Sequence, residues 1–211
     1  RFIIYKALAA RSDKFNKIIE KSTALVDVGA GSTQVSLFNN GTLVTTQNVK
    51  LGAVRISNMM SALSQNITNY VDIMREYIDN DMVTLNELFL RSKKISNVIF
   101  VGDCVPYYVR MKDYFDDGEY ITRDRFKAFL DKIYHKSIEQ IADIMMLQEN
   151  QAKLILPSAM VYTRMLDFTQ ADAIWMPQVT LCDGMAVEHA QKTKKFELKH
   201  DFNADILAAA K

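Results

Sequence analysis

Cysteine is nearly absent from this chain. Cys104 and Cys182 are far apart, and no metal-binding spacing surrounds either. That excludes a disulfide framework and a zinc site. It implies a reducing, cytoplasmic compartment with both thiols as small core residues. Histidine is as sparse. His135, His189 and His200 share no spacing and have no acid partner nearby in sequence. They read as surface or structural residues, so metalloenzyme and Ser-His-Asp readings fail. Excess charge is missing too: the formal net charge is +1. No global attraction to nucleic acid or to an anionic membrane follows. No apolar run approaches the roughly 18–20 residues of a membrane helix, and no signal peptide is visible. Internal repeats and low-complexity linkers are also lacking.

What remains is an ordinary globular composition, 49% hydrophobic and 24% charged over 211 residues, long enough to bury a core. There is no initial methionine. The first residues, "RFIIYKALAARSDKF", already carry an apolar helical face through Phe2, Ile3, Tyr5 and Leu8. The chain reads as a piece of something longer.

Three strands are predicted in succession, at 24–29, 33–38 and 43–49. The first is nearly all apolar and so buried on both faces. "NNG" at 39–41 marks a tight turn, because Asn and Gly tolerate positive φ. A long helical periodicity starts at Leu51. A further helix is expected with Thr84 as N-cap and Glu87 completing a capping box. "NVIFVG" (97–102) reads as a buried strand, and "DCVPYYVRMKDYF" as a helix with Pro106 in its first turn. One helical run is expected from Thr122 to about Leu147. Another spans 152–170 with Pro157 near its start. "AIWMPQVTLCDG" reads as a last strand and "MAVEHAQKTKK" as a closing helix, with a loosely attached tail beyond 192. The order predicts an α/β fold with a mixed sheet: three consecutive hairpin strands, then helical crossovers, flanked by helices.

The stretch "ALVDVGAGSTQVSLFNNG" (24–41) carries the chemistry. Read alone, Gly29, Ala30 and Gly31 make a hairpin turn. Their bare backbone also suits an anion-binding nest of successive N–H groups, with Ser32 and Thr33 adding hydroxyl donors. Asp27 would repel phosphate directly, so it must act through a Mg²⁺ ion or an oriented water. Neither a Walker A lysine nor a GxGxxG fingerprint is present, and this turn feeds a strand where those loops feed a helix. A strand, glycine turn, strand cradle suggests the actin-like ATPase (ribonuclease H-like) fold.

Together with "VKLGAVRI", this stretch resembles the second phosphate motif of the exopolyphosphatase / guanosine pentaphosphate phosphohydrolase (Ppx/GppA) family, usually DIGGGSTEL followed by LGAVRL. "NVIFVGD", "AKLILPSAMVYTRML" and "VTLCDGMAVEHA" resemble later family segments in the right order, so the resemblance covers about residues 1–191. It implies that residues 1–192 form the second of two actin-like domains and 193–211 a tail. The N-terminal actin-like domain, and a catalytic glutamate immediately before Arg1, would lie outside this chain. It further implies a Mg²⁺ cofactor held near Asp27 and Gln34. Phosphate contacts would come from Gly29, Ala30, Gly31, Ser32, Thr33, Arg55 and Gly102, and the substrate would be polyphosphate or guanosine pentaphosphate.

The chain departs from the family pattern at three places. Ala30 replaces a glycine and disfavours positive φ. Gln34 stands where Glu is usual and loses its charge. Asp103 follows Gly102 where Gly and Thr are usual, and its charge opposes a polyanion unless a cation intervenes. Arg55 and Lys50 also read as ordinary surface cations. Three functions therefore stand side by side: phosphoanhydride hydrolysis, a degenerate phosphate or nucleotide sensor, and a sugar-kinase or chaperone-type ATPase. The last is disfavoured by the lack of a glycine pair near 102. Oligomeric state is open, a homodimer through exposed apolar surface included.

Overall fold

A computed structural model describes residues 2–10, 12–63, 70–91, 93–111, 120–194 and 197–198. The chain begins with helices α1 (Phe2–Ala10) and α2 (Ser12–Ile19). Strands β1 (Thr23–Val28), β2 (Thr33–Asn39) and β3 (Thr42–Val49) follow. Next come α3 (Ala53–Leu63), α4 (Tyr70–Leu85), β4 (Asn97–Gly102) and α5 (Val105–Val109). After them lie β5 (Tyr120–Thr122), α6 (Arg123–Tyr134), α7 (Ile138–Met145), α8 (Glu149–Asp167), β6 (Ala173–Trp175) and α9 (Leu181–Lys194).

The strands form one six-stranded sheet in the order β3-β2-β1-β4-β6-β5. β1 pairs antiparallel with β2 and parallel with β4. β6 is parallel to β4 and antiparallel to β5. The mixed sheet and its three leading hairpin strands are as the sequence predicts. All of β1 is buried, and its alternation sends Ala24, Val26 and Val28 into one core and Leu25 into another. The larger core lies under α3, α4 and α6 to α8, where Phe100 stacks on Tyr162 at 4.3 Å between centroids. The smaller core lies under α1 and α2 and includes Tyr5, Leu8, Phe15, Ile99 and Trp175. Asn40 (φ 51°) and Gly41 (φ 77°) make the β2–β3 turn, the left-handed pair that a two-residue hairpin needs.

Several expected boundaries are corrected. Thr84 caps nothing: it lies inside α4, its hydroxyl donates to the Asn80 carbonyl at 3.1 Å, and the helix passes into a π-turn at Asn86–Leu90. The run expected from Thr122 is two helices. Thr122 does cap α6, accepting from the Arg125 N–H, but Ser137 and Gln140 form a capping box that starts α7. Pro157 lies in the interior of α8 rather than near its start. The last strand stops at Trp175, and "LCDG" is the first turn of α9. There Thr180 and Asp183 cap one another: the Thr180 N–H donates to Asp183 Oδ2 at 2.7 Å, and the Asp183 N–H to Thr180 Oγ1 at 3.3 Å. The T-x-x-D spacing was the available signal. The tail expected beyond 192 starts within α9, and Leu198 packs against the smaller core. Residues 199–211, His200 among them, lie outside the described residues, as do Arg1, residues 64–69 of the long helical run expected from Leu51 and residues 112–115 of the helix expected over 103–115.

Candidate functional site

The β1–β2 turn and the start of α3 are one unit. A helix leaves its first N–H groups without partners inside the helix. Here the Ala53 N–H donates to the Gly29 carbonyl at 3.0 Å and the Arg55 N–H to the Ala30 carbonyl at 3.1 Å. Arg55 Nε adds a bond to the Gly31 carbonyl at 2.9 Å. Gly52 makes the approach possible: a Cβ there would lie 2.3 Å from the Ala30 carbonyl oxygen. "GAGST" and "LGAVR" therefore fit each other backbone to backbone, which is why the two segments read as a joint pattern.

This clasp decides where the amides point. A trans peptide sets its N–H opposite its C=O. With the Gly29 and Ala30 carbonyls turned toward α3, the Ala30 and Gly31 N–H groups turn away from it. Both residues are exposed, and no described residue accepts from either N–H. The Gly29 N–H is different: it closes the turn onto the Ser32 carbonyl at 3.1 Å and is not an open donor. Ala30 does not distort the turn, since Asn40 and Met146 are the non-glycine residues with positive φ among those described. Nor does packing require a glycine at 31, where a Cβ would meet nothing within 4 Å.

The predicted site residues divide between two sides of this hairpin tip. On one side a cleft of about 380 Å³ is lined by Asp27, Gly29, Gly102 and Asp103, with Pro106, Tyr107 and Thr180. On the other, an open groove of about 530 Å³ takes in Ala30, Gly31 and Arg55, with Asn58 and Tyr77. Ser32 is half-buried beside the tip. Thr33 belongs to neither side. It is fully buried and its hydroxyl donates to the Leu51 carbonyl, which fastens the turn. Lys50 lies by a third hollow, with Gln47 and Asp81. Thr180 and Tyr107 were not singled out as site residues by sequence.

Asp27 and Gln34 are cross-strand partners in β1 and β2, so their side chains share a sheet face. Both are buried. Together they present hard oxygen donors of the kind Mg²⁺ takes. No group of three or more His, Cys, Asp or Glu side chains capable of holding a metal occurs among the described residues.

Gly102 sits at φ 140°, and a Cβ there would lie 2.3 Å from the Val28 carbonyl oxygen. Its bareness is demanded by the close run of β4 past β1. Beneath it, Tyr162 donates to the Val101 carbonyl at 2.6 Å and Tyr108 to the Ile155 carbonyl at 2.9 Å. Burial pushes both phenols well above their usual range. Burial also pushes the Cys104 thiol up from 9.0 to about 11, with a smaller push from Asp103. The protonated thiol is thus favoured by folding. Its contribution is complete below pH 9.0 and is lost as pH rises toward about 11, a loss of about 2–3 kcal/mol. Chemical unfolding at pH 8 and pH 11 should show that loss in the wild type and a smaller one in Cys104→Ala.

No helix among the described residues is long and apolar enough to cross a membrane. No curated protein sequence matches the chain. Solved structures do. The Ppx/GppA phosphatase of Aquifex aeolicus superposes with a TM-score of 0.69 at 16% identity, over 87% of this chain and 60% of that one. An exopolyphosphatase from Cytophaga hutchinsonii gives 0.70 at 12% identity, over 93% of this chain and 63% of that one. The fold is therefore the actin-like ATPase fold of those proteins, and this chain spans about three fifths of their length. The Ppx/GppA phosphatase family model matches residues 13–193, from within α2 to the end of α9, and the chain belongs to that family.

Proposed function

We propose that this chain supplies one phosphate-binding hairpin of a phosphohydrolase that releases terminal phosphate from polyphosphate or guanosine pentaphosphate. The reading is supported above all by the two exposed, outward-turned amides of Ala30 and Gly31, held in place by α3. Phosphoryl transfer needs chiefly positioning and charge neutralisation. The Ala30 and Gly31 amides would hold phosphate oxygens, Arg55 would keep the turn in shape through the Gly31 carbonyl, and Asp27 would hold Mg²⁺ or the attacking water. Bound Mg²⁺ would neutralise charge on the transferred group. The general base would be a glutamate of the preceding segment, and an N-terminal actin-like domain would form the facing wall. A reducing, cytoplasmic setting would keep both thiols free; Cys104 is the core residue expected, whereas Cys182 is exposed on α9, contrary to expectation.

The test is phosphate release by the whole protein from polyphosphate and from guanosine pentaphosphate, with and without Mg²⁺, beside the same assays on this chain. Mg²⁺-dependent release by the whole protein and none by the chain is expected. Turnover by the chain alone would overturn the assignment of the base, and no release by the whole protein would overturn the hydrolase reading. A second reading, a phosphate or nucleotide sensor, is favoured by Gln34 and by the exposed Asp103 at the cleft. It predicts binding without release.

A further inference from the structure

A chain of polar side chains runs under α1 across the sheet. Tyr5 of α1 is fully buried. Its hydroxyl accepts from Gln34 Nε2 at 2.7 Å and is hydrogen-bonded to Ser36 Oγ at 2.5 Å. Ser36 Oγ continues to Thr46 Oγ1 on β3 at 2.8 Å. Polar groups in an apolar core are costly unless paired, and here α1 brings one into the smaller core beside Phe38, with ring centroids 6.1 Å apart. A phenylalanine would fill the same space, so packing alone does not call for the hydroxyl.

We propose that Tyr5 is a positioning residue that turns the Gln34 amide so that its oxygen, and not its nitrogen, is offered on the Asp27 side. In this reading the Tyr5 proton goes to Ser36 Oγ, which leaves only lone pairs for Gln34, so Nε2 binds Tyr5 and Oε1, on the other side of the amide carbon, is directed elsewhere. No described residue donates to Oε1, and it is not among the wholly buried unpaired atoms, although Gln34 as a whole is only 5% exposed. Asp27 lies directly across the strand pair. The orientation makes the uncharged Gln34 a neutral oxygen ligand or water acceptor at the position where a carboxylate is usual. With the amide reversed, an NH₂ group would face a cation. The departure from glutamate is thereby compensated from a helix remote in sequence.

This inference rests on the phosphohydrolase reading for its purpose but not for its test. In the whole protein, the side-chain amide NMR signal of Gln34, identified by its loss in Gln34→Glu, should move in Tyr5→Phe. Mn²⁺ affinity, read by EPR, should fall about tenfold in Tyr5→Phe, the usual cost of losing a partner that orients a ligand. In the Gln34→Glu background, where both side-chain oxygens are acceptors, Tyr5→Phe should cost less than about twofold. Ser36→Ala frees the Tyr5 hydroxyl from its other side and should shift the Gln34 signal too. An unmoved Gln34 signal would overturn the proposal, as would equal loss of Mn²⁺ affinity in both backgrounds. If both readouts behave as expected while the protein releases phosphate from neither substrate, the hydrolase reading fails and the positioning role stands.

Discussion

Gly102→Ala is expected to destabilise the fold by about 3 kcal/mol or more, while Gly31→Ala is expected to be neutral or slightly stabilising. Both glycines sit at the tips of strands lining the candidate site, and sequence offers no way to rank them. At 102 the backbone holds φ 140°, and an added Cβ would lie 2.3 Å from the Val28 carbonyl oxygen and 2.9 Å from the Tyr162 hydroxyl. A strained backbone of that kind costs about 1–3 kcal/mol for a residue with a side chain. The clash adds to it, because the obstructing atom is backbone in the centre of the sheet and cannot swing aside. At 31 the φ lies outside the left-handed region and the added methyl meets nothing. Reducing the freedom of the unfolded chain then contributes about 0.4–1 kcal/mol in favour of the fold. Urea unfolding of the two variants checks both. Equal stability would show that β4 can shift away from β1 at little cost.

Asp27→Asn is expected to lower phosphate release by the whole protein at least about 100-fold, the lower range for loss of a group acting on the attacking water or its metal, with the fold retained. The substitution keeps the shape of the side chain, removes its charge and replaces one acceptor oxygen with an NH₂ donor. Asp27, next to last in β1, lines the cleft and is 7% exposed, so bulk water screens that charge poorly. Asp103→Asn is the informative companion. Asp103 is exposed at the rim, where a charge is largely screened, so its loss should change the rate by less than about tenfold. Steady-state rates at saturating Mg²⁺ decide between them. If Asp103→Asn were the more damaging, the cation would belong at the rim, and Asp27 would be a structural carboxylate.

Sequence reading reached furthest where the physics is local. The buried first strand, the Asn-Gly turn, the Thr122 cap and the strand-turn-strand cradle each depend on residues within a few positions of one another, and each is present. The boundaries it misplaced were also local but ambiguous. Thr84 and Glu87 have capping-box spacing, yet helical turns run on from α4 into the π-turn across both of them because Met82, Leu85 and Leu90 are buried in the larger core. Tertiary packing outweighs a cap of about 1 kcal/mol.

The amino-acid order by itself determined that a glycine-rich turn would join two adjacent strands, and that a mixed sheet would be layered with helices. Alternation, turn chemistry and small residues are properties of neighbouring positions. Only the tertiary structure decided which groups at that turn are open. Thr33 is taken by Leu51 and the Gly29 N–H by Ser32, whereas α3 turns the Ala30 and Gly31 amides outward. It also decided that Tyr5 would meet Gln34, 29 positions away in sequence. A hydrogen bond depends on separation in space, and residue spacing along the chain does not specify that once the chain has folded back on itself.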